Sequence, residues 1–320
     1  QDSICLELRS ELTNVELELK ELGADNTTVQ IAQQYNNLIH NNQTDSVQVS
    51  VPNKPTVPAK PAKPANMKYG LIGYPIAHSK SPELFRAAYA DDPAISYDLI
   101  EEEDFETAYR RFLDGYEAVN VTAPFKGDAF RKVDVADTIA RELFAVNILK
   151  KRDGKIYGYN SDFWALQKLL EPYAFRTRRT KVLVIGCGGA AKASALAALK
   201  LRMSVMVANR DFRKAREFCF TGGGMIPLRL EQVQAHAGSA DILIYAIPKA
   251  IELCDTLPLS GKVVVEANYK DPCLRERSSQ AGATYISGMD WLGEQAVAGY
   301  RLMTGIEPDA ARVRACCAQI

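Results

Sequence analysis

A glycine-rich turn in the second half of the chain is the clearest chemical pattern in the sequence. Residues 181–199 read KVLVIGCGGAAKASALAAL, which is an apolar strand, a turn and an alanine-rich helix. Gly186, Gly188 and Ala191 follow the spacing G-x-G-x-x-A. Glycines in this spacing let the backbone approach a pyrophosphate, which then lies against the first turn of the helix. Because a strand precedes the turn and a helix follows it, the pattern predicts a dinucleotide-binding site.

The end of the next strand indicates which dinucleotide is bound. An acidic side chain there binds the ribose of NAD, whereas basic side chains accept the additional phosphate of NADP. The strand runs into residues 209–214 (NRDFRK), where three basic residues surround Asp211. Guanidinium groups match phosphate geometry, so NADP(H) is the expected cofactor. An inward-pointing Asp211 would repel the phosphate, and NAD(H) is therefore the alternative.

Polar residues follow strand-like segments at four places in the first half of the chain. These segments are 73–82 (GYPIAHSKSP), 120–126 (NVTAPFK), 145–147 (AVN) and 158–162 (GYNSD). Asn120 and Thr122 alternate with apolar neighbours, so both side chains point to one side of a strand. Ser79 and Ser81 supply hydroxyls that suit a small carboxylate or polyol, although Ser81 before proline is also an ordinary helix start. Strand ends face the ligand crevice in α/β proteins, which favours a small-molecule site here.

Composition and charge restrict the class of protein. The chain has 320 residues, enough for two domains, with 47% hydrophobic and 24% charged residues. Its 39 basic residues balance 39 acidic ones, which argues against a nucleic-acid partner. No apolar run approaches the roughly 20 residues needed to cross a bilayer, so no membrane is expected. Seven irregularly spaced cysteines and three scattered histidines predict reduced thiols, a cytoplasmic location and no metal site.

Strand-like and helix-like segments alternate from residue 67 onward. Helices are predicted at 81–90, 104–114, 125–145, from the glycine turn to about 201, and at 291–304. The alternation predicts parallel sheets and hence an α/β fold.

The first 66 residues have a different pattern. Apolar residues spaced by three and four from Cys5 to Leu22, and again from Ile31 to Leu38, predict a helical hairpin over 1–50. Residues 51–66 (VPNKPTVPAKPAKPAN) are rich in proline and predict an extended linker. The hairpin is either an oligomerisation or docking element or a passive fusion, and the isolating linker favours the second.

Several short motifs occur in one order between about Met67 and about Pro308. They are S-K-S-P, N-V-T-x-P-F-K, A-V-N, G-x-N-[ST]-D, G-x-G-G-A and a late glutamine. This set resembles the shikimate dehydrogenase family. The resemblance implies an α/β substrate domain over 67–170 plus 288–320 and a Rossmann-type NADP-binding domain over 177–287. It also implies reversible NADPH-dependent reduction of 3-dehydroshikimate to shikimate, in chorismate biosynthesis, by a monomer or homodimer.

The resemblance assigns roles to residues by position. Lys126 and Asp162 match the catalytic pair of the family, and a lysine ammonium beside a carbonyl oxygen can stabilise and protonate the alkoxide left by hydride transfer. The substrate-binding positions are Ser79, Ser81, Asn120, Thr122, Asn147, Tyr269 and Gln295. The cofactor-binding positions are Gly186, Gly188, Gly189, Ala190, Asn209, Arg210 and Lys214.

Some residues depart from the family pattern. Asp211 replaces a small hydroxyl residue, Trp291 replaces a common methionine, and 246–248 and 270–273 differ in the loops near the nicotinamide. Asp211 motivates one rival, an NAD-dependent quinate/shikimate dehydrogenase. A second rival is a catalytically silent protein that binds shikimate or a dinucleotide in the same pocket, and the intact Lys126 and Asp162 argue against it.

Overall fold

The computed structural model describes residues 67–90, 92–174, 178–248 and 253–319. The helical hairpin predicted over 1–50 and the linker predicted over 51–66 lie outside the described residues, so both stay predictions. Two six-stranded sheets form the framework of the described part of the chain.

The first sheet is formed by the N-terminal half of the described chain. Its strands are β1 (Met67–Gly73), β2 (Ile95–Glu101), β3 (Ala118–Val121), β4 (Val135–Ala136), β5 (Ile148–Arg152) and β6 (Lys155–Tyr159). They lie in the order β2-β1-β3-β5-β6-β4, and β5 runs antiparallel to both of its neighbours. The β5–β6 hairpin was not among the predicted elements. Asp153 and Gly154, both at positive φ, form its two-residue turn, and this Asp-Gly pair is the sequence signal for it.

The helices of this half partly match the prediction. They are α1 (Ser81–Tyr89), α2 (Phe105–Gly115), α3 (Lys126–Phe130), α4 (Thr138–Leu143) and α5 (Ser161–Leu170). The single helix predicted over 125–145 is wrong, because β4 separates α3 from α4. Asp137 is the N-cap of α4, because its Oδ1 accepts the N–H of Ala140 at 2.6 Å.

The second sheet is parallel throughout. Its strands are β7 (Lys181–Ile185), β8 (Ser204–Asn209), β9 (Met225–Arg229), β10 (Ile242–Tyr245), β11 (Val263–Glu266) and β12 (Thr284–Ile286). Its helices are α6 (Gly189–Lys200), α7 (Phe212–Gly222), α8 (Val233–Ala237) and α9 (Arg275–Gln280). The order β12-β11-β10-β7-β8-β9 reverses between β7 and β10. The glycine turn after β7 therefore lies where a doubly wound sheet forms its ligand crevice.

The apolar run of β7 reflects burial on both faces of this sheet. Val182 and Val184 pack into one hydrophobic cluster, whereas Leu183 and Ile185 pack into the cluster on the opposite face. A central parallel strand covered by helices on both sides has this continuous apolar pattern.

Two further helices, α10 (Gly288–Thr304) and α11 (Ala310–Gln319), follow the second sheet. The helix predicted at 291–304 begins earlier, because Ser287 and Asp290 form a capping box ahead of it. Both helices pack on the first sheet, where the buried Tyr300 hydroxyl donates to the backbone oxygen of Ser81 at 3.0 Å. None of the described helices is long and apolar enough to cross a membrane.

Candidate active site

A cavity of about 540 Å³ opens between the ends of the first-sheet strands, the glycine turn and the start of α10. Residues predicted for catalysis and substrate binding all line it: Ser79, Ser81, Asn120, Thr122, Lys126, Asn147, Asp162, Tyr269 and Gln295. Ala190, from the predicted cofactor set, lines it as well. The fold thus brings side chains from seven separate segments of the sequence to one site.

The cavity contains an ion pair between a lysine and an aspartate. Lys126 Nζ lies 2.5 Å from Asp162 Oδ2, and the two side chains are 22% and 12% exposed. Lys126 is the first residue of α3, whereas Asp162 lies in the first turn of α5, where the helix dipole favours a negative charge. The pair leaves an ammonium group at the cavity wall that can donate a proton to a bound carbonyl oxygen.

Two serine hydroxyls lie close together at the start of α1. Ser79 Oγ donates to Ser81 Oγ at 3.2 Å, and the backbone N–H of Ser81 donates to Ser79 Oγ at 3.3 Å. Hydroxyl donors beside a helix N-terminus form a suitable environment for a carboxylate.

A buried hydrogen-bonded chain fixes the next group of side chains. Asn147 Nδ2 donates to Ser161 Oγ at 3.0 Å, and Ser161 Oγ donates to Gln295 Oε1 at 3.2 Å. The Ser161 N–H also donates to Asn147 Oδ1 at 2.8 Å. The fully buried Ser161 thus links the residue before β5 to α5 and α10, and it orients the two amides that reach the cavity.

The glycine turn has the geometry that a pyrophosphate requires. Gly186 has φ of 122°, and a Cβ there would lie 2.7 Å from the carbonyl oxygen of Ala246, so glycine is needed. Gly188 is the N-cap of α6, has no side-chain cap and has open space around it. The N–H groups at the start of this twelve-residue helix are therefore available to an anionic ligand. A Cβ at Gly189 would lie 3.8 Å from Lys126 Cδ, so the turn also adjoins the ion pair.

Asp211 is held at the start of α7 rather than aimed at a ligand. Its Oδ1 accepts the backbone N–H of Arg213 at 3.1 Å and that of Lys214 at 3.4 Å. Asn209 Nδ2 donates to the Asp211 carbonyl at 3.0 Å, which braces the same turn. Arg210 is exposed and has no carboxylate partner among the residues that the structure describes. The carboxylate is thus occupied as a helix cap, while a guanidinium group stays available beside β8.

Comparison with known proteins gives the family. A model described as the shikimate dehydrogenase substrate binding domain matches residues 71–149, and one described as shikimate / quinate 5-dehydrogenase matches residues 168–255. Shikimate dehydrogenase (NADP(+)) of Anaeromyxobacter dehalogenans is 30% identical over 263 residues, covering 77% of this chain and 94% of that protein. The chain belongs to the shikimate dehydrogenase family.

Solved structures agree with this assignment. A crystal structure of a shikimate dehydrogenase in complex with NADP⁺ has a TM-score of 0.69 at 27% identity, over 79% of this chain and 95% of that one. A quinate dehydrogenase from Corynebacterium glutamicum in complex with NAD has a TM-score of 0.71 at 22% identity, over 80% of this chain and 100% of that one. At 22% identity, the similarity to the quinate dehydrogenase shows a shared fold and nothing more. Both agree with the two-domain α/β architecture of a shikimate dehydrogenase.

Two residues that support the side chains of the candidate site were not predicted from the sequence. The partly buried Tyr97 donates its hydroxyl to Asn120 Oδ1 at 2.8 Å, and desolvation raises the pKa of this hydroxyl far above the ordinary value, so it stays a donor. The fully buried Glu266 accepts the backbone N–H of Cys273 at 2.7 Å and the Tyr285 hydroxyl at 2.7 Å. It holds the loop that carries Tyr269. Neither residue belongs to a motif, so the sequence offered no signal for either.

Proposed function

We propose that this chain catalyses the reversible NADPH-dependent reduction of 3-dehydroshikimate to shikimate, with Lys126 and Asp162 as its catalytic residues. The observation that carries the proposal is the Lys126–Asp162 ion pair at 2.5 Å, in a cavity lined by hydroxyl and amide donors and adjoined by a nucleotide-type glycine turn.

The cavity offers complementary groups for each part of such a substrate. Ser79 and Ser81, at the start of α1, bind the carboxylate. The ring hydroxyls are bound by the remaining polar lining residues Asn120, Thr122, Asn147, Asp162 and Gln295, while Tyr269 contacts the ring.

Lys126 provides the acid–base chemistry. The cofactor, when bound, supplies a hydride to the carbonyl carbon of the substrate. Lys126 donates a hydrogen bond to the carbonyl oxygen, and its positive charge stabilises the negative charge that develops there before a proton is transferred. Asp162 holds the lysine at that position and accepts a hydrogen bond from the neighbouring substrate hydroxyl. In shikimate oxidation Lys126 takes the proton back.

The nucleotide side fits a dinucleotide with an additional phosphate. Gly188, Gly189 and Ala190 present backbone N–H groups to the pyrophosphate at the uncapped start of α6. The Gly186 N–H donates to the Ala208 carbonyl oxygen at 2.8 Å, and this glycine allows the close turn that brings the pyrophosphate to the helix. Asn209, Arg210 and Lys214 surround the 2′-phosphate, and the use of Asp211 as a helix cap removes the main objection to NADP.

We extend the proposal to the domains and the cellular setting. Residues 67–170 with 288–320 form the substrate-binding domain, and residues 177–287 form the NADP-binding domain. The enzyme acts in the cytoplasm on small-molecule substrates, as a monomer or homodimer.

The decisive experiment is a steady-state assay of shikimate oxidation with NADP⁺ and NAD⁺ in parallel, for the wild type and Lys126→Ala. We expect turnover with NADP⁺ that falls by about 10² or more in the variant, the low end for loss of a general acid. Lys132→Ala is the matched control, because this exposed lysine pairs with Glu106 away from the cavity and its loss leaves kcat unchanged.

Two results would contradict the proposal. Full activity of Lys126→Ala would remove the proposed mechanism. Quinate turnover with NAD⁺ that equals shikimate turnover with NADP⁺ would replace the proposed substrate and cofactor by those of a quinate/shikimate dehydrogenase.

A further inference from the structure

A second cavity, of about 630 Å³, lies on the opposite side of α10 from the candidate active site. Trp291 and Gln295 of α10 face the first cavity, whereas Asp290 and Glu294 face the second, as the helical period requires. Its other walls come from the end of α5, the turn that follows it, and α11. A volume of this size lies within the range of small-molecule pockets. No step of the proposed reaction uses this cavity.

One side of this cavity is apolar. Its lining there consists of Leu169, Pro172, Tyr173, Ile286 and Met289. These side chains come from the end of α5, the turn after it, the end of β12 and the start of α10. They form a surface on which a flat ring can pack.

The positive and negative charges of the side chains that line this cavity do not sum to zero. Glu294, only 10% exposed, receives Lys168 Nζ at 2.7 Å and Arg314 Nε at 2.6 Å. Burial acts to raise the pKa of Glu294, but Arg314 and Lys168 outweigh it and hold the pKa below the usual range. The carboxylate of Asp290 already has a hydrogen-bond partner, since its Oδ2 accepts the N–H of Ser287 at 2.8 Å.

Arg275 is the cation that remains. It is the first residue of α9 and it is exposed. Its guanidinium interacts with the Tyr285 hydroxyl, and it has no carboxylate partner within the described part of the chain. With Lys168 and Arg314 it gives the lining three positive charges, against two negative charges from Asp290 and Glu294. The cavity therefore has an excess of one positive charge beside an apolar surface.

We propose that this cavity is a binding site for a small aromatic monocarboxylate, which places its carboxylate on Arg275 and its ring on the apolar side. A guanidinium group binds a carboxylate through two parallel hydrogen bonds, which sets the orientation of the ligand. Tyr269 lines both cavities, so an occupant contacts the opposite side of a residue that faces the proposed substrate.

The test is ligand-observed NMR titration of the full chain with 4-hydroxybenzoate, without cofactor, in the absence and presence of saturating shikimate. We expect a Kd on the order of 1 mM, as for a ligand of this size, and no change on addition of shikimate. The uncharged 4-hydroxybenzamide should bind about ten-fold more weakly, because it lacks the charge-assisted hydrogen bonds.

Variants locate the site independently of catalysis. Arg275→Gln should weaken 4-hydroxybenzoate about ten-fold, and Ala318→Trp should abolish its binding by filling the cavity that Ala318 lines. Arg216→Gln removes another exposed arginine, on α7, and is the matched control that should leave the Kd unchanged.

Three results would overturn the proposal. One is the absence of saturable binding below about 10 mM. Another is displacement of the probe by shikimate, which would assign it to the first cavity. The third is binding that Arg275→Gln leaves unaltered. Arg275 is exposed at a helix start, so this variant decides the question even if Ala318→Trp does not fold.

Discussion

The substrate side and the nucleotide side of the candidate active site are built differently. On the substrate side, Asn120, Asn147 and Asp162 are buried side chains, each hydrogen bonded to a partner from another element. On the nucleotide side, the uncapped start of α6 at 188–190 presents backbone N–H groups, and the basic residues at the end of β8 are exposed.

The difference follows from what each side must recognise. A small hydroxylated acid has few atoms, so discrimination depends on several donors and acceptors fixed to within a fraction of an ångström. A pyrophosphate is a large anion, and a helix start with a close-fitting turn binds it without any side chain. Substitutions should therefore act through buried partners on the substrate side, and through backbone geometry or surface charge on the nucleotide side.

The largest effect is expected for Gly186→Ala, because it changes backbone geometry on the nucleotide side. Its φ of 122° disfavours any side chain, and the added Cβ would lie 2.7 Å from the Ala246 carbonyl oxygen. We expect a loss of about 2 to 3 kcal/mol in the free energy of unfolding and a rise of more than ten-fold in the Kd for NADP⁺. Chemical denaturation and fluorescence titration measure the two quantities.

Gly188→Ala is the matched control for this prediction. Gly188 has φ of −82° and nothing within 4 Å of an added Cβ, so the free energy of unfolding should stay within about 0.5 kcal/mol of the wild type. NADP⁺ binding should nevertheless weaken, since the methyl group enters the space for the pyrophosphate. Equal stability of the two variants would show that backbone strain does not shape the nucleotide side.

An intermediate effect is expected for Tyr97→Phe on the substrate side. The substitution keeps the packing but leaves the buried Asn120 Oδ1, which accepts the Tyr97 hydroxyl at 2.8 Å, without its donor. An unpaired buried acceptor costs about 1 to 3 kcal/mol, and the freed amide can turn away from the substrate. The shikimate KM should rise about ten-fold, while the Kd for NADP⁺ stays constant.

Steady-state kinetics with both substrates varied measures this separation. Tyr109→Phe is the control, because the Tyr109 hydroxyl donates to the Lys132 carbonyl at an exposed site and its loss leaves the shikimate KM unchanged. A matching rise in the KM values for shikimate and NADP⁺ in Tyr97→Phe would indicate general destabilisation instead of a positioning role.

The same contrast explains how much the sequence could reveal. The glycine turn, the strand ends and the polar motifs are local patterns, and the prediction that they meet in one α/β crevice agrees with the cavity. Tyr97 and Glu266 act through partners that lie on other elements, so their roles depend on a topology that no local pattern encodes. The break between α3 and α4 was missed for a related reason, since β4 exists only because it pairs with β6.

The smallest effect is expected for Asp211→Ser. This variant tests whether exposed charges determine cofactor binding on the nucleotide side. Serine keeps the helix cap that Asp211 provides to Arg213 and Lys214, so stability should be nearly unchanged. Removal of one exposed negative charge beside Arg210 should lower the KM for NADP⁺ about two- to three-fold, with less change at high salt.

Asp211→Ala separates the charge of Asp211 from its role as a helix cap. It removes the same charge and also lowers the free energy of unfolding by about 1 kcal/mol through loss of the cap. If Asp211→Ser instead raised the KM for NADP⁺ at every salt concentration, the carboxylate would bind the ribose hydroxyl itself, and NAD(H) would become the better cofactor assignment.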